Sequence, residues 1–155
     1  MSVTILVFCY VACAGSTVHA QAENLSNGQE SINMKSLVSI FEIPATDISR
    51  AIKFYQEILN IEIQPMEFQG MEIGLFPYED QMVTGVIVKG EGYQPSANGV
   101  TLYLNGGDNL QDILDLVEKN GGEVLVPKTP HADESGYFAI FFDTEGNKMG
   151  LHSPN

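Results

Sequence analysis

The sequence predicts an α+β domain made of two tandem βαβββ modules whose mixed sheets pair and curve around a common cleft. Three observations predict it. A strand, an amphipathic helix and three further strands follow one another between residues 36 and 90; the same series returns between residues 99 and 153; and a linker rich in Gly, Pro and Ser, Gly90 to Asn98, separates the two. A βαβββ unit has a sheet face that is unfavourable to leave wet, so two units are expected to pack side by side.

The elements follow in order. Leu37 to Ile43 is apolar and β-branched around a single acid, Glu42, and reads as a strand covered on both faces. Pro44 ends it, and Thr46 or Asp47 can cap the helix that follows. Ile48, Ala51, Ile52, Tyr55, Ile58 and Leu59 recur at spacings of three and four, which gives that helix one apolar stripe, while Arg50, Lys53, Gln56 and Glu57 face water. Strands are expected at Glu62 to Phe68, Met71 to Phe76 and Met82 to Lys89, with Gln69-Gly70 as a tight turn. In the second module Val100 to Leu104 is the strand. Leu110, Ile113, Leu114 and Val117 form the helical stripe, which Asp108 or Asn109 can cap and Gly121-Gly122 can end. Glu123 to Pro127, Tyr137 to Phe142 and Lys148 to His152 supply three more strands, and Asp143 to Asn147 is a hairpin loop.

Charge and the N-terminal segment bound the function classes. A net charge of -13 with only seven Lys and Arg repels a phosphate backbone, so no nucleic-acid partner is expected. Residues 1–33 contain no Lys or Arg. Ile5 to Ala14 is an apolar run of signal-peptide length, short of the ~20 residues that span a bilayer, so no integral membrane protein is expected. Val18-His19-Ala20 offers small residues where a signal peptidase reads. Residues 1–20 are therefore read as a signal peptide, 21–35 as a polar tether and 36–155 as the domain, with a secreted or periplasmic destination. The alternative is a cytoplasmic protein started at Met34, since the extreme N-terminus lacks the usual positive charge. Both cysteines, Cys9 and Cys13, fall in the leader, which leaves the domain without a thiol; acylation at Cys13 is a minor option.

The helix entry ending in Phe54-Tyr55, the closing DTEGN hairpin at Asp143 to Asn147, VKGEGYQPS at Val88 to Ser96 and VLVPKTPH at Val124 to His131 carry a resemblance over residues 37–153. The chain resembles the vicinal oxygen chelate superfamily of glyoxalases, bleomycin-resistance proteins and extradiol dioxygenases, and within it a bacterial branch related to lactoylglutathione lyase. The resemblance implies a small-molecule ligand in the inter-module cleft and a homodimer. Superfamily enzymes commonly hold a divalent metal, and the corresponding positions fall at Ile40, near Gly85 or Val86, at about Val100 and at Gly150. None of these residues offers a lone pair, so neither a metal nor another cofactor is expected.

Strand alternation points to other groups. Glu42 lies two residues beyond Ile40 and His152 two beyond Gly150, so each shares a face with an empty ligand position. A carboxylate and an imidazole in one cleft could act as an acid-base pair, with Glu42 as base and His152 as acid or orienter in a lyase or isomerase reaction. Ile40, Thr84, Tyr93, Thr101, Tyr103, His131 and Tyr137 complete the expected substrate-binding set, the tyrosines as hydroxyls on rigid apolar bodies. Asp133 to Gly136 reads either as an acidic flap or as a solvated loop. The structural alternative for Glu42 is that it accepts hydrogen bonds from backbone or Tyr hydroxyls. The functional alternatives are a non-catalytic protein that sequesters a drug or metabolite, and a subunit whose cleft face is a dimer interface. The Gly-Gly pairs fit no phosphate-binding loop, and no nucleophile elbow is present.

Overall fold

In the computed structural model of the chain, residues 36–79 and 81–155 are described. The expected signal peptide and tether, the alternative start and both cysteines lie outside them. The first module runs β1 (Ile40–Pro44), α1 (Ile48–Leu59), β2 (Gln64–Phe68), β3 (Met71–Leu75) and β4 (Thr84–Lys89). The second runs β5 (Leu102–Asn105), α2 (Leu110–Lys119), β6 (Glu123–Pro130), β7 (Tyr137–Phe142) and β8 (Lys148–Ser153). Strand order is β1-β4-β3-β2 in one sheet and β5-β8-β7-β6 in the other. In each, the opening strand pairs in parallel with the closing one and the remaining pairs are antiparallel. Two βαβββ modules are thus present in the predicted order.

Of the two cap candidates for each helix, the residue next to the helix is used. The Asp47 side chain accepts from the Arg50 N–H at 3.0 Å, and the Asn109 side chain accepts from the Gln111 N–H at 3.3 Å. Such a cap contributes about 1 kcal/mol. Gly121 adopts φ 90° just past α2, where a side chain would be strained, and the Gly122 N–H closes the helix on the Val117 carbonyl.

Strand boundaries differ from expectation where a partner is missing. β1 starts at Ile40 rather than Leu37, because its neighbour β4 begins only at Thr84; Leu37 is left 90% exposed. Nor is β1 covered on both faces. Phe41 and Ile43 pack into the core, whereas Ile40 is 60% exposed and Glu42 is exposed. β2 begins at Gln64 because Ile63 turns into the core, its N–H held by the Gln56 side chain at 2.9 Å. β6 runs on to Pro130 through two register shifts against β7, which absorb its extra length.

α1 packs on β3 and β4, α2 packs on β6, β7 and β8, and the helices pack on each other. Ile43, Phe54, Tyr55 and Ile87 of the first module join Leu104, Leu114, Phe141 and Leu151 of the second in one hydrophobic cluster. The Phe54 ring lies 5.1 Å from Tyr55 and 6.2 Å from Phe141, so α1 reaches into the second module. The helix-facing sides of both sheets look into this shared core. Their other faces are open.

A polar junction completes the contact. The buried Tyr55 hydroxyl donates to Asp143 at 2.7 Å, and Asp143 also accepts from the Glu145 and Asn147 backbone N–H groups. The Asn147 amide donates to the Pro44 carbonyl at 2.8 Å. The Glu145 carboxylate accepts from the Thr46 and Asp47 N–H groups, from the Thr46 hydroxyl and from the half-exposed Arg50 guanidinium at 2.7 Å. Burial alone would raise the Glu145 carboxyl, but these donors, Arg50 first, bring it from 4.5 down to about 2. Burial, aided by Asp143, pushes the Tyr55 hydroxyl well above its ordinary range.

Two outcomes are expected. Because the folded-state value of Glu145 is depressed, its contribution is complete above pH 4.5 and is lost as pH falls through about 2. Glu145→Gln should therefore cost about 2–3 kcal/mol at neutral pH, and urea melts across that acid range should show the gap between wild type and variant closing. Tyr55→Phe should cost about 1–2 kcal/mol in the same melts, since Asp143 keeps its other donors.

Candidate functional site

The faces of the strands are fixed by which neighbours enter the core. Met149 and Leu151 of β8 are core residues, so Gly150 and His152 lie on the open face of the second sheet. Leu104 of β5 is likewise in the core, which puts Tyr103 on the same open face, in register with Gly150. The Tyr103 ring lies directly over that glycine: a Cβ there would stand 2.4 Å from Tyr103 Cδ1. His131, at the end of β6, brings its ring to 5.3 Å from His152 and 4.9 Å from Phe138. Its Nε2 is buried and has no hydrogen-bond partner among the described residues. The open face of the second sheet therefore gathers Tyr103, His131, Phe138 and His152.

Glu42 is on the open face of the first sheet. Its carboxylate accepts from the Tyr93 hydroxyl at 2.9 Å, which raises the Tyr93 hydroxyl and ties the linker to β1. Glu42 also lines a recess of about 230 Å³ with Asn98, Val100, Leu102 and Lys148. His152 is not among its walls. The expectation that Glu42 and His152 look into one enclosed space is thus not met within a single chain. The physical reason is that the helical layers, not the open faces, meet between the modules, and both side chains are exposed.

The other expected residues divide. Ile40 is beside Glu42 on the open face, in register with Thr84 at the start of β4. Thr84 lines a separate slot between the modules and carries a buried hydroxyl without a partner among the described residues. Thr101 is half-buried just before β5. Tyr137 requires correction: it packs against the core beneath the Lys128 ammonium, which stands 4.5 Å from its ring centroid and donates to Asn109. In β7 it is the alternate residue, Phe138, that reaches the open face, in register with His152. The loop after β6 is tied by the His131 N–H to the Gly136 carbonyl at 2.8 Å and by the Ser135 N–H to Asp133 at 3.1 Å. Hydrogen bonds from Ser135 hold the Asp133 carboxyl low, with a smaller contribution from His131.

The positions that the resemblance assigns to metal ligands, Ile40, Gly85 or Val86, about Val100 and Gly150, carry no donor atom in their side chains. Among the described residues no three His, Cys, Asp or Glu side chains converge.

Comparison with known proteins agrees with this architecture. A family model of the Glyoxalase/Bleomycin resistance protein/Dioxygenase superfamily matches residues 37–151. A glyoxylase-like domain-containing protein of Didymella fabae is 33% identical over 127 residues, which covers 74% of this chain and 91% of that protein. Among solved structures, the antibiotic binding protein TnmS3 from Streptomyces sp. CB03234 superposes with a TM-score of 0.61 at 20% identity, over 77% of this chain and 97% of that one. The fosfomycin resistance protein FosX of Listeria monocytogenes gives 0.56 at 17% identity, over 77% and 93%. A glyoxalase I mutant from Zea mays gives 0.59 at 19%, over 76% of this chain and 46% of that one. At such identities the structural likeness is one of fold alone. With the family model covering both modules, and the paired βαβββ architecture present, the chain belongs to the Glyoxalase/Bleomycin resistance protein/Dioxygenase superfamily.

Proposed function

We propose that this chain binds a small organic molecule on its open sheet faces, without a metal, and that two copies pair so that the first sheet of one and the second sheet of the other enclose the ligand. The observation that carries the reading is the apolar character of those faces. Ile40, Met66 and Phe68 on the first sheet are 60%, 48% and 53% exposed, and Tyr103 on the second is 46% exposed. A single chain leaves them in water, an unfavourable arrangement that a partner and a ligand would relieve. The Tyr103, His131, Phe138 and His152 group supplies flat aromatic surface and imidazole hydrogen bonding for a ligand with rings or polar substituents. Binding without catalysis, so that a drug or metabolite is sequestered, is the first form of the proposal, and the structural likeness to TnmS3, named as an antibiotic binding protein, supports it. Export by the leader would place it in the periplasm or outside the cell.

A second reading is acid-base catalysis of the lyase or isomerase kind, with Glu42 of one copy and His152 of the other. It is favoured by their positions on the two faces that pairing would bring together.

Sedimentation analysis is expected to give a dimer that Ile40→Arg dissociates. In titrations with a panel of aromatic antibiotics, wild type should bind at least one compound. Gly150→Ala, which displaces the Tyr103 ring, should weaken that binding about tenfold with little change in melting temperature. A monomeric wild type, or binding indifferent to both Gly150→Ala and His152→Ala, overturns the proposal. Turnover lost in Glu42→Gln would select the second reading.

A further inference from the structure

We infer that the slot between the modules on their helix side is a separate binding site for an uncharged, mainly apolar small molecule carrying one hydrogen-bonding group. The slot has a volume of about 460 Å³, inside the ~300–1,000 Å³ range of ligand pockets. It opens between the C-terminal end of α1 and the N-terminal half of α2, and Phe41, Phe76, Leu104 and Ile113 form its apolar walls. None of these four is on the open sheet faces, whereas Thr84 and Asn105, at the strand ends, are in register with Ile40 and His152 of those faces. Its polar walls are the uncharged Gln81, Thr84 and Asn105. In a chain with twenty Asp and Glu, no described wall residue carries a charged side chain, which disfavours ionic ligands of either sign.

Two features indicate that the slot is more than a packing fault. The first is the difference between the modules. Counted from the caps Asp47 and Asn109, Phe54 and Tyr55 of α1 correspond to Leu116 and Val117 of α2. On its side α1 fills the inter-module space with two aromatic rings, set against Phe141, Gly122 and Asp143. α2 has the smaller Leu116 and Val117 at those positions, and the slot opens one turn earlier along α2, at Ile113. The second feature is the Thr84 hydroxyl, buried at the wall without a partner among the described residues. A buried hydroxyl with no hydrogen bond is destabilising, and a ligand donor or acceptor that reaches it would remove that cost.

The test uses 1-naphthol, uncharged at neutral pH, and naphthalene as its analogue without the hydroxyl, followed by fluorescence titration of the full chain. Wild type is expected to bind 1-naphthol saturably. Ile113→Trp, which fills the slot, should weaken binding at least tenfold while circular dichroism stays that of the wild type. Thr84→Val, close in shape, should reduce the preference for 1-naphthol over naphthalene roughly fivefold, and it decides the matter should Ile113→Trp fail to fold. Gly150→Ala, which disturbs the open face, should leave 1-naphthol binding unchanged, so failure here is distinguishable from failure of the sheet-face proposal. Absence of saturable binding to wild type, a folded Ile113→Trp that binds normally, an unaltered preference in Thr84→Val, or loss of binding in Gly150→Ala each overturns the inference.

Discussion

The structure depends on how the hairpin between β7 and β8 grips the first module. Asp143 and Asn147 are among the few buried polar residues described, at 4% and 6% exposure, and each spends its hydrogen-bonding capacity across the module boundary or within the loop that crosses it. Apolar packing between α1, α2 and the sheets is tolerant of sliding, because burial is non-directional. The Tyr55 hydroxyl, the Pro44 carbonyl and the start of α1 are not, since each must meet a particular atom of the hairpin. The hydrophobic cluster thus holds the modules together, and the polar junction sets their register.

That register has a functional consequence. With the helical layers turned toward each other, the face of each sheet that carries Glu42 or His152 is directed away from the shared core. An exposed carboxylate on one sheet and an exposed imidazole on the other are weak candidates for concerted proton transfer within one chain, because the recess that Glu42 lines does not include His152 among its described walls. The groups that do lie together are the His131, Phe138 and His152 rings, which offer flat aromatic surface and imidazole hydrogen bonding.

The architecture was legible because its signals are redundant. Each helix shows a stripe, a cap and a terminator, and the module order appears twice. β8 was legible down to its faces, since in KMGLHS the apolar Met149 and Leu151 alternate with Gly150 and His152. β7 was not. Every residue of YFAIFF is apolar or aromatic, so period-two alternation contains no direction, and the sequence could not tell that Phe138 rather than the ligand candidate Tyr137 reaches the open face. The extent of β1 was hidden for another reason: its start depends on where β4 begins, a non-local fact. The separation of Glu42 from His152 was equally out of reach, because strand pleat fixes which side of its own sheet a residue occupies and says nothing of which sides of two sheets meet.

The two modules apply one device in opposite directions. In both, an aromatic residue on the opening strand lies over a glycine on the parallel closing strand, Phe41 over Gly85 and Tyr103 over Gly150. Such a pair covers backbone that a glycine would otherwise leave bare. Phe41 does so on the helix side, with its ring 5.7 Å from Phe76, and belongs to the fold. Tyr103 does so on the open side, and its hydroxyl has no partner there among the hydrogen bonds of the described residues. A ring that served packing alone would gain more from the buried side, where burial contributes most. Its place on a wet face that also carries His131 and His152 is accounted for if that face is covered when the protein works, by a ligand, by a second copy, or by both.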